Sequence, residues 1–139
     1  MAERFYCPSP YYRVAIKAMV FDDQHRLLVV QAEDKKWELP GGGLEHGEKE
    51  RECVDREIQE ELGVRVLSMS DVRWIFRGFN PDRQTHCLRL MVDAELESFD
   101  FTFGDGMVDA RFVDPEAFMA LDFVPDDASV VQHIDKIWA

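Results

Sequence analysis

Residues 49–62 contain neither proline nor glycine, whereas Gly41-Gly42-Gly43 and Gly47 precede that run and Gly63 closes it. Good helix formers dominate the run, and Glu48, Glu50 and Glu52 fall where the positive end of a helix dipole favours anions. Gly63 supplies a residue able to enter the left-handed conformation just past the last helical turn. The spacing therefore predicts a helix over 49–62. It is entered through Trp37-Glu38-Leu39-Pro40, an extended piece, and then three glycines that invite close approach.

The rest of the chain surrounds this helix with strands. Residues 12–21 alternate β-formers with polar residues, and a turn at Asp22-Asp23-Gln24-His25 leads to the apolar segment 27–31, so the two read as a hairpin-like pair. Segments 64–67, 72–79, 85–96 and 107–113 read as further strands, with a turn at Asn80-Pro81-Asp82. Residues 115–121 read as a helix with proline in its first turn, and 127–138 as a terminal helix whose apolar residues are Val130, Val131, Ile134, Ile137 and Trp138. This order describes an α/β domain with a mixed sheet, and 139 residues suffice for one such domain (1–139) but not two.

Charge narrows the partners. With 28 Asp plus Glu against 16 Lys plus Arg, the net charge of −12 opposes a nucleic-acid polymer, while a small phosphorylated ligand stays compatible if cations reverse the local field. Apolar runs such as 18–21 and 27–30 are too short to cross a membrane, and the N-terminus lacks a signal-peptide pattern. Cys7, Cys53 and Cys87 form no CxxC pair, which speaks against zinc or redox exchange and suits a reducing cytoplasm.

Within the helix, Glu57, Glu60 and Glu61 lie at i, i+3 and i+4, so three carboxylates share one side, while Val54, Ile58 and Leu62 centre about 100° away and can bury. Such crowding is relieved by water, by arginine or by a divalent cation. Arg56, four residues from both Glu52 and Glu60, supplies one partner, and three glutamates exceed it. Oxygen donors without histidine or thiolate neighbours suit Mg²⁺ or Mn²⁺.

The segment 42–64, GGLEHGEKERECVDREIQEELGV, has Gly42, Glu48, then Arg56-Glu57-Ile58, Glu60-Glu61 and Gly63-Val64 at fixed intervals. It resembles the Nudix box, with all nine specified positions filled. That resemblance, of the MutT-like kind, implies an α/β/α sandwich and a Mg²⁺- or Mn²⁺-dependent enzyme. Its activity would be to hydrolyse the pyrophosphate bond of a nucleoside diphosphate linked to another moiety. It further implies Glu57 and Glu61 as principal metal ligands, Glu60 as a further ligand or a base acting through water, and Arg56 as the group that orients a glutamate. Glu48 would be an outer ligand, the Gly41 carbonyl a further metal contact, and a homodimer a family-level expectation. Several relatives carry a polar or charged residue at the place of Gly43. The base varies across the family, and here a box glutamate is favoured over Asp105 and Asp109, which read as turn and strand-edge acids. Nucleoside triphosphates are slightly favoured over ADP-ribose-like substrates. The alternative is a non-catalytic Nudix-like nucleotide sensor, against which the intact acidic positions argue.

Trp37, Trp74, Phe76, Phe79 and Phe112 read mostly as core, with Phe79, beside the Asn80-Pro81 turn, the best candidate to stack on a base; Arg73, Arg77 and Arg83 read first as surface partners of acids, with Arg77 the choice for phosphate. His46 reads as a solvated loop residue and Cys53 as a packed, inert thiol.

Overall fold

The computed structural model describes residues 10–139, so Cys7 and the start of the chain lie outside the described residues. Its strands are β1 (Tyr12–Met19), β2 (Leu27–Ala32), β3 (Trp37–Glu38), β4 (Gly41–Gly43), β5 (Val66–Met69), β6 (Trp74–Asn80), β7 (Thr85–Leu96) and β8 (Met107–Val113). Its α-helices are α1 (Glu50–Leu62), α2 (Pro115–Met119) and α3 (Ile134–Ile137). A mixed sheet of five strands runs β4-β1-β7-β5, with β6 on the same edge of β7 as β5. β1 is parallel to β7 and antiparallel to β4. A second, antiparallel sheet runs β3-β2-β8.

Two apolar cores flank these sheets. Ile16, Ala18 and Val20 pack with Leu28, Val30 and the α1 residues Cys53, Val54, Ile58 and Leu62. Met19, Leu27, Val29, Trp37 and Met91 pack on the other side with Phe118, Val130 and Ile137 from the C-terminal helices. The unbroken apolar run of β2 follows from this, because alternate residues enter different cores and neither face meets water. Helices on both faces of sheet make this an α/β sandwich, and the predicted flank of Val54, Ile58 and Leu62 is the one α1 buries.

The expected hairpin of 12–21 with 27–31 does not form. β1 and β2 belong to different sheets and are linked by the single bridge Phe21↔Leu27 and the Leu28 N–H bond to the Val20 carbonyl. Both long edges of β1 are taken by β4 and β7, so β2 is left to pair with β3 and β8. The expected terminal helix of 127–138 is a 3₁₀ segment, Ala128–His133, followed by the single α-turn α3. Asp127 stands at its start without capping it, because its carboxylate is committed elsewhere, to the Leu39 N–H and Arg89.

At the C-terminus of α1, Gly63 takes φ 67° and its N–H bonds the Gln59 carbonyl. A Cβ there would sit 2.9 Å from the Thr102 carbonyl oxygen. Gly63→Ala is expected to lower stability by about 1–2 kcal/mol or more, read as a shifted urea midpoint at unchanged m-value.

Candidate active site

Alternation along β1 places Arg13, Ala15 and Lys17 on the face opposite Val14 and Ile16, and all three line a cleft of about 590 Å³. Gly41, Gly42 and Gly43 form one wall, with Glu57 and Glu61 reaching in from α1. Asn80, Arg83, Arg89, Asp105 and Asp126 also line it.

Gly41 is held at φ 125°, and a Cβ on it would run into the Ile16 carbonyl. Its N–H donates to Glu61 Oε1 at 2.8 Å. A Cβ on Gly42 would occupy the space of the Glu57 carboxylate. Gly42 is thus glycine because the Glu57 carboxylate comes against its backbone, the close approach the sequence calls for, and Gly41 because of its positive φ and the Ile16 carbonyl.

Glu61 is 2 % exposed. Burial pushes its carboxyl up to about 8, helped by the carboxylates of Glu38 and Glu57 and opposed by the Lys17 ammonium and the Gly41 N–H. Burial likewise raises the Glu57 carboxyl, against the pull of Arg56. Glu60 is more open, its side chain 44 % exposed.

Arg56 ties the helix to the loop before it. Its Nε and Nη2 donate to both oxygens of Glu48 at 2.8 and 3.0 Å, Nη1 donates to Glu57 at 2.8 Å, and Nη2 also reaches the Gly43 carbonyl at 3.0 Å. Hydrogen bonding to Arg56 draws the Glu48 carboxyl down to about 2. Of the two i±4 partners expected from sequence, Glu60 lies at 3.4 Å, whereas Glu52 instead accepts the Lys49 N–H at the helix start.

Asp105 joins the box glutamates. Oxygens of Glu57, Glu60 and Asp105 come within 4.8 Å of one another. The 97–106 loop delivers it. The Thr102 N–H bonds the Leu62 carbonyl and the Gly104 N–H bonds the Glu61 carbonyl, using acceptors that the end of α1 leaves free. Gly104 admits no Cβ, which would strike the Glu60 carbonyl, and Asp105 itself sits at φ 52°. Asp109 is elsewhere, its carboxylate on its neighbour Arg111 at 3.3 Å.

Below the cleft lies a charged network that the sequence reading did not single out. Asp127, fully buried, accepts the Leu39 N–H and Arg89 Nε at 3.0 Å each, with Lys17 Nζ at 3.7 Å. Lys17 also donates to Glu38, the Leu39 carbonyl and the Gly41 carbonyl. Burial alone would pull its ammonium down, but the carboxylates of Asp127, Glu38 and Glu61 together push it up, so it stays charged. Asp126 takes Arg89 at 3.5 Å and Asn80 Nδ2 at 2.7 Å. The available signal was a lysine within the apolar run VAIKAMV and an arginine within CLRLMV.

Phe79 and Arg77 are not lining residues of the cleft. Both are exposed on β6, and Phe79 packs on His86 at 4.8 Å between ring centres. Gly78 and Asn80 take the inward positions of that strand. Cys53 is buried, its thiol pushed up to about 12 by burial and set against the Gly42 and Gly43 carbonyls, as an inert packed residue should be. His46 is exposed in its loop.

A family model of the NUDIX domain matches residues 11–134. The chain belongs to the NUDIX family. As a Nudix hydrolase it is 29% identical over 123 residues to a nucleoside triphosphatase NudI from Salmonella arizonae, covering 79% of this chain and 87% of that one. It is 33% identical over 95 residues to NudI of an Enterobacter species, covering 63% and 67%. In fold it resembles a MutT protein from Methanosarcina mazei, with a TM-score of 0.78 at 18% identity over 94% of this chain and 96% of that one. It also resembles a NUDIX hydrolase from Nitrosomonas europaea, with a TM-score of 0.72 at 22% identity over 92% and 88%. No helix among the described residues is long and apolar enough to cross a membrane.

Two outcomes are expected of this Nudix site. Lys17→Met leaves Asp127 and Glu38 short of a buried cation and should cost about 3 kcal/mol in chemical unfolding. Glu61 keeps its proton in the fold after the unfolded chain has lost it. In chelator-treated protein its contribution is therefore full below about pH 4.5 and is lost as pH rises through about 8. Unfolding midpoints of wild type relative to Glu61→Gln should fall across that window.

Proposed function

We propose that this hydrolase cleaves the pyrophosphate bond of a nucleoside diphosphate linked to another moiety, with nucleoside triphosphates as the favoured class, using Mg²⁺ or Mn²⁺. The observation that carries the reading is the cluster of Glu57, Glu60 and Asp105, two members of which, Glu57 and Asp105, line the cleft. Its donors are all carboxylate oxygens, which fit a hard divalent cation, and histidine and thiolate are absent from the cluster. Those three residues would hold the cation. Glu61 adjoins them from the cleft floor, and the Gly41 carbonyl, which already accepts Lys17 at 3.4 Å, keeps a second lone pair for a ligand.

When bound, the cation would neutralise the diphosphate and make a coordinated water more acidic. The protein does the rest by position. Water oxygen bonds to one phosphorus in line with the bridging oxygen, the bridging P–O bond breaks, and a box glutamate or Asp105 takes the water proton. Arg56 fixes the rotamer of Glu57 through its 2.8 Å bond while being itself clamped by Glu48. The triphosphatase relatives support the substrate class, and Cys53 and Cys87, buried free thiols among the described residues, suit the reducing cytoplasm proposed for it.

Product formation from canonical and oxidised nucleoside triphosphates and from ADP-ribose, followed by chromatography, tests the proposal. Turnover should require Mg²⁺ or Mn²⁺ and stop on chelation. Arg56→Gln should lower kcat/KM by about 10- to 100-fold, and Glu57→Gln by more, with the fold intact by circular dichroism. Tight nucleotide binding by wild type without turnover in either metal would instead establish a sensor.

A further inference from the structure

We infer that Arg13 is an anion-contacting residue of this cleft, taking a phosphate oxygen of the ligand, and that position 43 is glycine to leave its guanidinium room. The inference rests on the proposed reading only for the ligand being a phosphate chain. Gly43 has no need of glycine's backbone freedom. It is an extended residue of β4 paired with Ala15, and the glycines at positive φ are Gly41, Gly47, Gly63 and Gly106. What lies against the space of its absent side chain is Arg13, whose Nη2 would be 3.3 Å from a Cβ there, so that a side chain longer than a methyl would press on the guanidinium.

Lys17 and Arg89 are held by Glu38, Asp126 and Asp127, whereas Arg13, like Lys36 and Arg83 elsewhere on the lining, has no carboxylate within 4.0 Å among the described residues. Of those three cations, Arg13 is the one set against β4 at Gly43, next to the glycine that the Glu57 carboxylate approaches. In a chain with 28 acids against 16 basic residues, an arginine left unpaired beside an acid-rich wall is conspicuous. The Glu57 carboxylate enters the cleft beside the adjacent Gly42, so Arg13 flanks the acidic cluster one residue further along β4. A guanidinium fork matches two phosphate oxygens, and a phosphate chain gripped at one place by the cation held by the acids and at another by Arg13 would be fixed in orientation.

The experiment measures binding of inorganic tripolyphosphate, a non-hydrolysable nucleoside triphosphate and the corresponding nucleoside, by calorimetry with Mg²⁺ present, alongside steady-state kinetics. Arg13→Ala should weaken tripolyphosphate and the nucleotide by about 10- to 100-fold, raise KM far more than it lowers kcat, and leave nucleoside binding alone. The double variant Arg13→Ala with Gly43→Lys returns a cation to the same space from the neighbouring strand and should recover most of the loss. A merely structural role for Arg13 would show no such rescue. Wild-type affinity in Arg13→Ala, or no recovery in the folded double variant, overturns the inference. Hydrolysis by wild type with Arg13→Ala indistinguishable sinks this inference alone. Tripolyphosphate binding that depends on Arg13 without any turnover sinks the hydrolase reading and leaves Arg13 in place.

Discussion

Helix α1 meets the sheet at a buried polar contact, the Gly41 N–H on Glu61, beside the bonds of Arg56 and Cys53 to the carbonyls of the next two glycines. A carboxyl 2 % exposed has few ways to be tolerated there. The nearby Lys17 ammonium offsets part of the cost of its burial, but Lys17 is itself buried and needs Glu38 and Asp127, and Asp127 in turn holds Arg89 and the Leu39 N–H. The contact thus draws in β1, β3, β7 and the C-terminal segment, so the positions of Glu57 and Glu61 are fixed by elements scattered through the whole sequence.

The sequence showed α1 to within a residue, because a long glycine- and proline-free run closed by Gly63 leaves little else to form. β7 and β8 were legible to the residue from their β-branched and aromatic content. The pairing of β1 was not, since which strand lies beside which is decided by long-range packing of two cores and not by the turn at Asp22. The end of the chain was misread for a related reason. Apolar spacing alone suggests one helix over 127–138, and only the fold reveals that Asp127, at its start, is already engaged by Arg89, 38 residues earlier.

The candidate site divides the same way. Glu57, Glu60, Glu61 and Arg56 were readable because they share one helix, where spacing fixes relative direction. Asp105 was visible as a turn residue, but its place beside Glu57 and Glu60 depends on hydrogen bonds between the 97–106 loop and the last turn of α1. Arg13 offered no signal, since only strand pairing brings it over Gly43. Phe79 and Arg77 were in the right strand and on its wrong face, a one-residue matter that alternation alone cannot decide without knowing which side holds the cleft.

The loop that carries Asp105 has a second consequence. Its amides cap the carbonyls of Glu61 and Leu62, so loop and helix end cannot loosen separately. Slow amide exchange at Thr102 and Gly104 would report the same opening event that scatters the acidic cluster. Insertions should be refused between 97 and 106, where loop length sets the distance between two sources of charge.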